Sequence, residues 1–156
     1  MTHLPVNHRL RPVYRFIAAA CGVFILVFGI IGVVRTGGTP LFSRADAVWV
    51  FGMRENLAFA IVSIIGGLVI TGATVIGHNL DHYLDVIAGA VFIAAGMLML
   101  LLLQTSANFF AFSMSNCVVS FVLGSLVLGA GLYSKTKTRA DRFSGVVGTH
   151  RTPVSG

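Results

Sequence analysis

Charge is what this chain has least of. Asp, Glu, Lys and Arg together make up 10% of its 156 residues, where a soluble domain carries about 25%. Hydrophobic residues reach 56% and the mean hydropathy is +0.89. Too little polar surface remains to enclose a water-soluble core, which excludes the soluble enzymes and the disordered chains. The two cysteines, Cys21 and Cys117, are too few for a disulfide framework or a thiolate metal site. No pair of histidines lies within an apolar run to ligate haem, no glycine-rich phosphate loop is present, and no nucleophile stands beside a base. Catalytic residues, metal ligands and cofactors are therefore all expected to be none.

What the chain does have is apolar length. Phe16 to Val34, Leu57 to Ile76 and Val86 to Leu103 are uncharged, and a fourth run is centred on Cys117 to Tyr133 and begins near Ala111. About 20 apolar residues cross the hydrocarbon core as a helix, because backbone amides find no other partner there. The first run is longer than a secretory core and no small-x-small site follows it before Arg35, so it reads as an uncleaved helix. The expected fold is an all-α membrane protein, a four-transmembrane-helix bundle. Its parts are a basic N-terminal tail (1–15), the transmembrane domain (16–133) and a basic flexible C-terminal tail (134–156).

Lysine and arginine counts orient it. One side collects Arg9, Arg11, Arg15, Lys135, Lys137, Arg139, Arg142 and Arg151; the other has Arg35, Arg44 and Arg54. Eight against three places both termini in the cytoplasm, with the protein in the plasma (inner) membrane. The net charge of +6 thus reports topology, and no nucleic-acid partner is expected. Lys135, Lys137, Arg139 and Arg142 follow the last span and should attract anionic phospholipid such as cardiolipin.

The 35–56 loop opens with the breakers Thr36-Gly37-Gly38-Thr39-Pro40 and runs into Ala45-Asp46-Ala47-Val48-Trp49-Val50-Phe51. A short amphipathic segment on the outer surface is expected there, with Trp49 at the headgroup boundary. The loop from Gln104 to Ser115 carries Phe109, Phe110 and Phe112, an interfacial or partner-facing cluster. Val23-Phe24-Ile25 returns as Val91-Phe92-Ile93, and Asn56-Leu57-Ala58 as Asn116-Cys117-Val118. These echoes point to a duplicated helical hairpin with parallel repeats.

Few groups offer chemistry. In the turn before the third span, His78, His82 and Asp85 share one helical face, a spacing that could hold a divalent metal or relay protons. It reads more readily as an interfacial turn with an acidic start suited to the helix dipole. Small residues are more informative. Ser63, Gly67 and Thr71 recur every four residues, with shorter rows at Ala18/Gly22, Ala90/Ala94 and Ser125/Gly129. Such rows let backbones approach closely. The expected partner or packing surface is Ser63, Gly67 and Thr71 with the aromatic residues Trp49, Phe51, Phe109, Phe110 and Phe112.

Arg15-Phe16 before the first span, Leu41-Phe42 in the loop, and the asparagines Asn56 and Asn116 leading the second and fourth spans carry a resemblance over roughly residues 9–142. The chain resembles the uncharacterised four-helix membrane proteins common in actinobacteria. Those relatives carry a histidine-flanked asparagine at the second span, where this chain has Glu55 beside Asn56 and Phe59 beyond it. The resemblance implies an accessory subunit of the cytochrome bcc–aa3 respiratory supercomplex, and it transfers no catalytic residue. The function expected is therefore a non-catalytic accessory or structural subunit of a respiratory complex containing cytochrome c oxidase. It would serve electron transport through helix packing and lipid contacts with other integral membrane subunits of an oxidase or bc-type complex. The alternative is a small-solute channel or transporter, with Ser63 and Thr71 as its modest polar path.

Overall fold

Leu57 to Ile76 is helical over the whole expected run, while the other three spans shift at their ends. The computed structural model describes residues 10–77 and 80–134. Its elements are α1 (Arg11–Thr36), β1 (Val48–Val50), β2 (Met53–Glu55), α2 (Leu57–Ile76), α3 (Leu80–Leu102) and α4 (Met114–Tyr133). All four helices are long and apolar enough to cross a membrane, at 20 to 26 residues each. The chain is an all-α four-helix bundle and a multi-pass membrane protein.

The helix ends follow local chemistry. Pro12 lies in the first turn of α1, where its missing N–H has no partner to lose. Helix α1 therefore starts at Arg11 and takes Arg11 and Arg15 out of the expected tail. Asn56 caps α2, its Oδ1 accepting from the Phe59 N–H at 3.0 Å. Gly77, at φ 67°, ends α2 in a conformation that glycine adopts freely. Helix α4 begins at Met114 rather than near Ala111, because Ala111 itself takes a positive φ of 55°.

The amphipathic segment expected in the first long loop is a β-hairpin with Trp49 exposed and Val50 buried. Val48, Trp49 and Val50 pair antiparallel with Glu55, Arg54 and Met53. Phe51 and Gly52 make the two-residue turn with φ of 49° and 77°, the primed geometry that matches strand twist. Val48 to Val50 are β-branched and aromatic, so they favour strand.

The bundle is two hairpins. Helix α1 packs along α2 and α3 along α4, and the halves meet through α1–α4 and α2–α3 contacts. The duplication is real in geometry, with a different register from the one the echoes imply. A methyl added at Gly67 would stand 2.5 Å from the Leu26 nitrogen and 2.8 Å from the Gly22 carbonyl oxygen. One added at Gly124 would stand 3.0 Å from both the Ile93 nitrogen and the Gly89 oxygen. Gly67 therefore matches Gly124, Gly22 matches Gly89, and Leu26 matches Ile93. Gly29 against Ala60 and Ile64 repeats as Gly96 against Cys117 and Phe121. In this register Asn56 matches Ser113, not Asn116, and Ile25 matches Phe92. The central core obeys the same symmetry: Cys21, Ile25, Ile70 and Val127 are buried together, with Ala88 and Phe92 against them. Lipid rewards no hydrophobic association, so this backbone-to-backbone contact is what joins each pair.

Candidate docking platform and buried carboxylates

Both chain-proximal ends of α1 and α4 lie together: Arg11 Nε donates to the Ser134 carbonyl oxygen at 2.9 Å. The opposite end of the bundle carries the β-hairpin and the Gln104–Ser115 loop. There, three buried asparagines staple the loops to the helices. Asn116 Oδ1 accepts from the Arg54 N–H at 2.9 Å, and its Nδ2 donates to the Arg54 carbonyl at 2.8 Å. The same oxygen accepts from the Ser113 hydroxyl at 2.6 Å. Asn56 Nδ2 donates to the Phe109 carbonyl at 2.7 Å. Asn108 closes its own loop, with Oδ1 accepting from Phe112 N–H at 2.8 Å and Nδ2 donating to Phe112 O at 3.0 Å. Buried amides satisfied on both sides in this way hold a single arrangement.

On this frame the aromatic residues divide. Trp49 and Phe51 are exposed, at 58% and 61%, and so are Phe42 and Phe109. Phe51 lies against Phe24 of α1 with ring centroids 6.0 Å apart, and Phe42 meets Phe109 edge-on at 6.1 Å. Phe110 is half-buried beside Phe109. Phe112, expected on the partner surface, is only 5% exposed and packs with Met99, Cys117 and Phe59. It belongs to the core, because Asn108 turns its backbone inward.

The small-residue row is also spent inside the chain. Ser63 donates to the Phe59 carbonyl at 2.8 Å. Gly67 lies on α1, and Thr71 lies over Gly22. None of the three faces outward to a second subunit, since α1 occupies that side of α2. The helical glycines that do face open space are Gly72 and Gly129, which correspond in the two halves. Between the halves a cavity of about 20 Å³ is bordered by Ser63, Ser120 and Asn116 together with Phe59 and Phe92. That is room for about one water.

The other end of the bundle holds a charge cluster. Asp81, fully buried, accepts from Arg11 Nη2 at 3.0 Å and lies 3.5 Å from Arg15 Nε. Arg15 also donates to the Thr74 carbonyl. His82 contacts the Gly131 carbonyl through Nδ1 at 2.7 Å, and Asp85 is buried with neither oxygen hydrogen-bonded. Of the expected His78, His82 and Asp85 face, His78 lies outside the described residues, and His82 is engaged by α4. Among the described residues no three His, Cys, Asp or Glu side chains gather as a metal-holding group. Lys135, Lys137, Arg139 and Arg142 also lie outside the described residues.

Two features escaped the sequence reading. The Arg11/Arg15 and Asp81/Asp85 pairs each have i, i+4 spacing, a matched signal that counting charges for topology conceals. Glu55 left no signal. It is 0% exposed, both its carboxylate oxygens lack a partner, and a Cβ at Gly32 of α1 would run into it. Burial lifts its carboxyl from an ordinary 4.5 to about 8.

Comparisons with known proteins add nothing to this geometry. No family model, curated protein or solved structure matches the chain.

Proposed function

We propose that this protein is a non-catalytic membrane subunit that docks a larger integral membrane assembly through the aromatic platform at the loop end of its bundle. The observation that carries the reading is the contrast at that end. Trp49, Phe51, Phe42 and Phe109 are exposed, yet the hairpin and the Phe109 loop are fixed by Asn56, Asn108 and Asn116, and the Phe42 segment by the Ala58 N–H donating to the Leu41 carbonyl. Fixed aromatic groups bind at little cost in conformational entropy, which suits them to anchor an interface. The interior supports the same reading, because close glycine contacts and a one-water cavity suit a packed scaffold better than a solute path.

The partner class follows from the resemblance: a respiratory assembly with a cytochrome c oxidase, in the plasma membrane of an actinobacterium. The charge asymmetry supports cytoplasmic termini. This orientation turns the platform to the outer face. Cysteines introduced at positions 5 and 145 should resist an impermeant thiol reagent in intact cells; labelling of either reverses the orientation.

The experiment for function is copurification of the oxidase with tagged protein. Trp49→Ala combined with Phe109→Ala should reduce recovery of the haem protein at least tenfold while the variant accumulates normally. Undiminished recovery contradicts the platform. Transport is the second class of function, and it would survive these substitutions.

A further inference from the structure

Among the described residues Glu55 is the one acidic side chain at the loop end that is buried, and it sits in β2, the strand paired with the one that carries Trp49. Its carboxyl lies between β2 and Gly32 of α1, so close that a Cβ at Gly32 would displace it. Among the described residues no cation or donor answers it. On α1 the nearest charge along the chain, Arg35, donates to the Trp49 carbonyl at 3.1 Å. On β2 the neighbouring Arg54 donates its Nη2 to the Arg44 carbonyl at 2.6 Å. Asp46 is bound by the Ser43 hydroxyl at 2.6 Å. Strand β1 and helix α2, which also border this corner, contain no ionisable side chain, and helix α4 has two: Cys117, held in the core with Met99 and Phe112, and Tyr133 at its far end, stacked on Tyr14. A carboxylate without a cation or donor is tolerated in such a place only when it is protonated.

We infer that Glu55 is a proton-binding site that keeps the β-hairpin seated on α1, so that loss of its proton lifts the hairpin and disassembles the aromatic platform. This concerns the regulation of the docking surface proposed above, and it rests on that reading for its effect on a partner. The movement of the hairpin itself needs no partner.

The sign follows from linkage. The seated form holds the proton up to about pH 8, whereas a lifted, solvated Glu55 releases it above an ordinary 4.5. Between those values the lifted form binds fewer protons, so rising pH favours lifting by about tenfold per unit. Above about pH 8 both forms are ionised and the ratio levels off.

Trp49, the only tryptophan in the chain, lies in β1 opposite Arg54 and reports the hairpin directly. The full chain in lipid nanodiscs is titrated from pH 5 to pH 10 while Trp49 emission and its quenching by iodide are followed. Emission should shift to the red and quenching should rise with pH, reversibly, with the change complete soon after pH 8. Glu55→Gln, neutral at every pH, should stay in the seated state throughout. Gly32→Ala, which displaces the carboxyl, should show the high-pH signal already at pH 6. A flat wild-type titration overturns the inference, as does an unchanged transition in Glu55→Gln. A Gly32→Ala protein that behaves as wild type contradicts it independently, even where Glu55→Gln does not accumulate. Because no partner is present, these outcomes are separate from failure of the docking reading, which copurification alone decides.

Discussion

Gly67 and Gly124 occupy the same place in the two halves of the molecule, each laid against the backbone of the preceding helix near a second glycine. A methyl at Gly67 meets the Leu26 nitrogen and the Gly22 oxygen; one at Gly124 meets the Ile93 nitrogen and the Gly89 oxygen. The bundle is thus one helical hairpin used twice, with the closest contacts kept and the surroundings changed. Asp85 stands where the first half has Ala18, and the β-hairpin is an addition to the first half alone.

This arrangement predicts an asymmetric response to small substitutions. Gly67→Ala and Gly124→Ala force apart backbones that already touch, and should each cost about 1–3 kcal/mol. Gly72→Ala and Gly129→Ala project into open space and should be neutral or slightly stabilising, because alanine is the better helix former. Thermal unfolding in one detergent checks all four. Equal effects at Gly67 and Gly72 would mean that the hairpin packing is misassigned.

Asp81 is the common ion-pair partner of Arg11 and Arg15. Asp81→Asn removes the carboxylate that pairs with both guanidiniums in a partly buried site and should cost about 3 kcal/mol. Arg11→Ala should cost less, because Arg15 remains. The order of unfolding midpoints is the check: wild type above Arg11→Ala above Asp81→Asn.

Asn116 ties α4 to the β-hairpin through both Arg54 backbone groups. Asn116→Ala should release the hairpin, expose the Arg54 amide to hydrogen exchange and cost about 1–3 kcal/mol. The helices of the bundle should retain their protection. Uniform loss of protection would show that the hairpin and bundle unfold as a unit.

Much of the architecture was open to reading in the sequence, for a physical reason. A membrane demands apolar length, and the runs around Phe16, Leu57, Val86 and Cys117 state it without ambiguity. Short-range geometry was less legible. The amphipathic character of Val48 to Phe51 was legible but its conformation was not, because the strand rests on a turn at Phe51-Gly52 whose partner strand lies further along the chain. The repeat was visible but out of register, because Asn56 and Asn116 look alike in sequence and act differently: one caps α2, the other clamps Arg54. The small-residue row was legible as close packing, yet a row of Ser63, Gly67 and Thr71 carries no mark of which helix fills it. Burial of Phe112 and exposure of Phe109 differ by three positions in one loop, and only the Asn108 bonds separate them.

That separation yields a further expectation. Phe112→Ala should lower stability by about 3 kcal/mol or more, the usual cost of emptying a core aromatic site. Phe109→Ala, on the exposed side, should leave the unfolding midpoint within a degree or two while weakening association. Thermal unfolding scored beside copurification distinguishes the two; the reverse pattern would mean that the aromatic residues were assigned to the wrong sides.

Native mass spectrometry of gently solubilised membranes tests the central claim most directly. The docking account predicts that the wild-type chain is recovered in an assembly with a haem-containing integral membrane protein, and that Trp49→Ala with Phe109→Ala releases it as a folded free subunit. A wild-type protein found only free, or a double variant that remains in the assembly, would contradict the account.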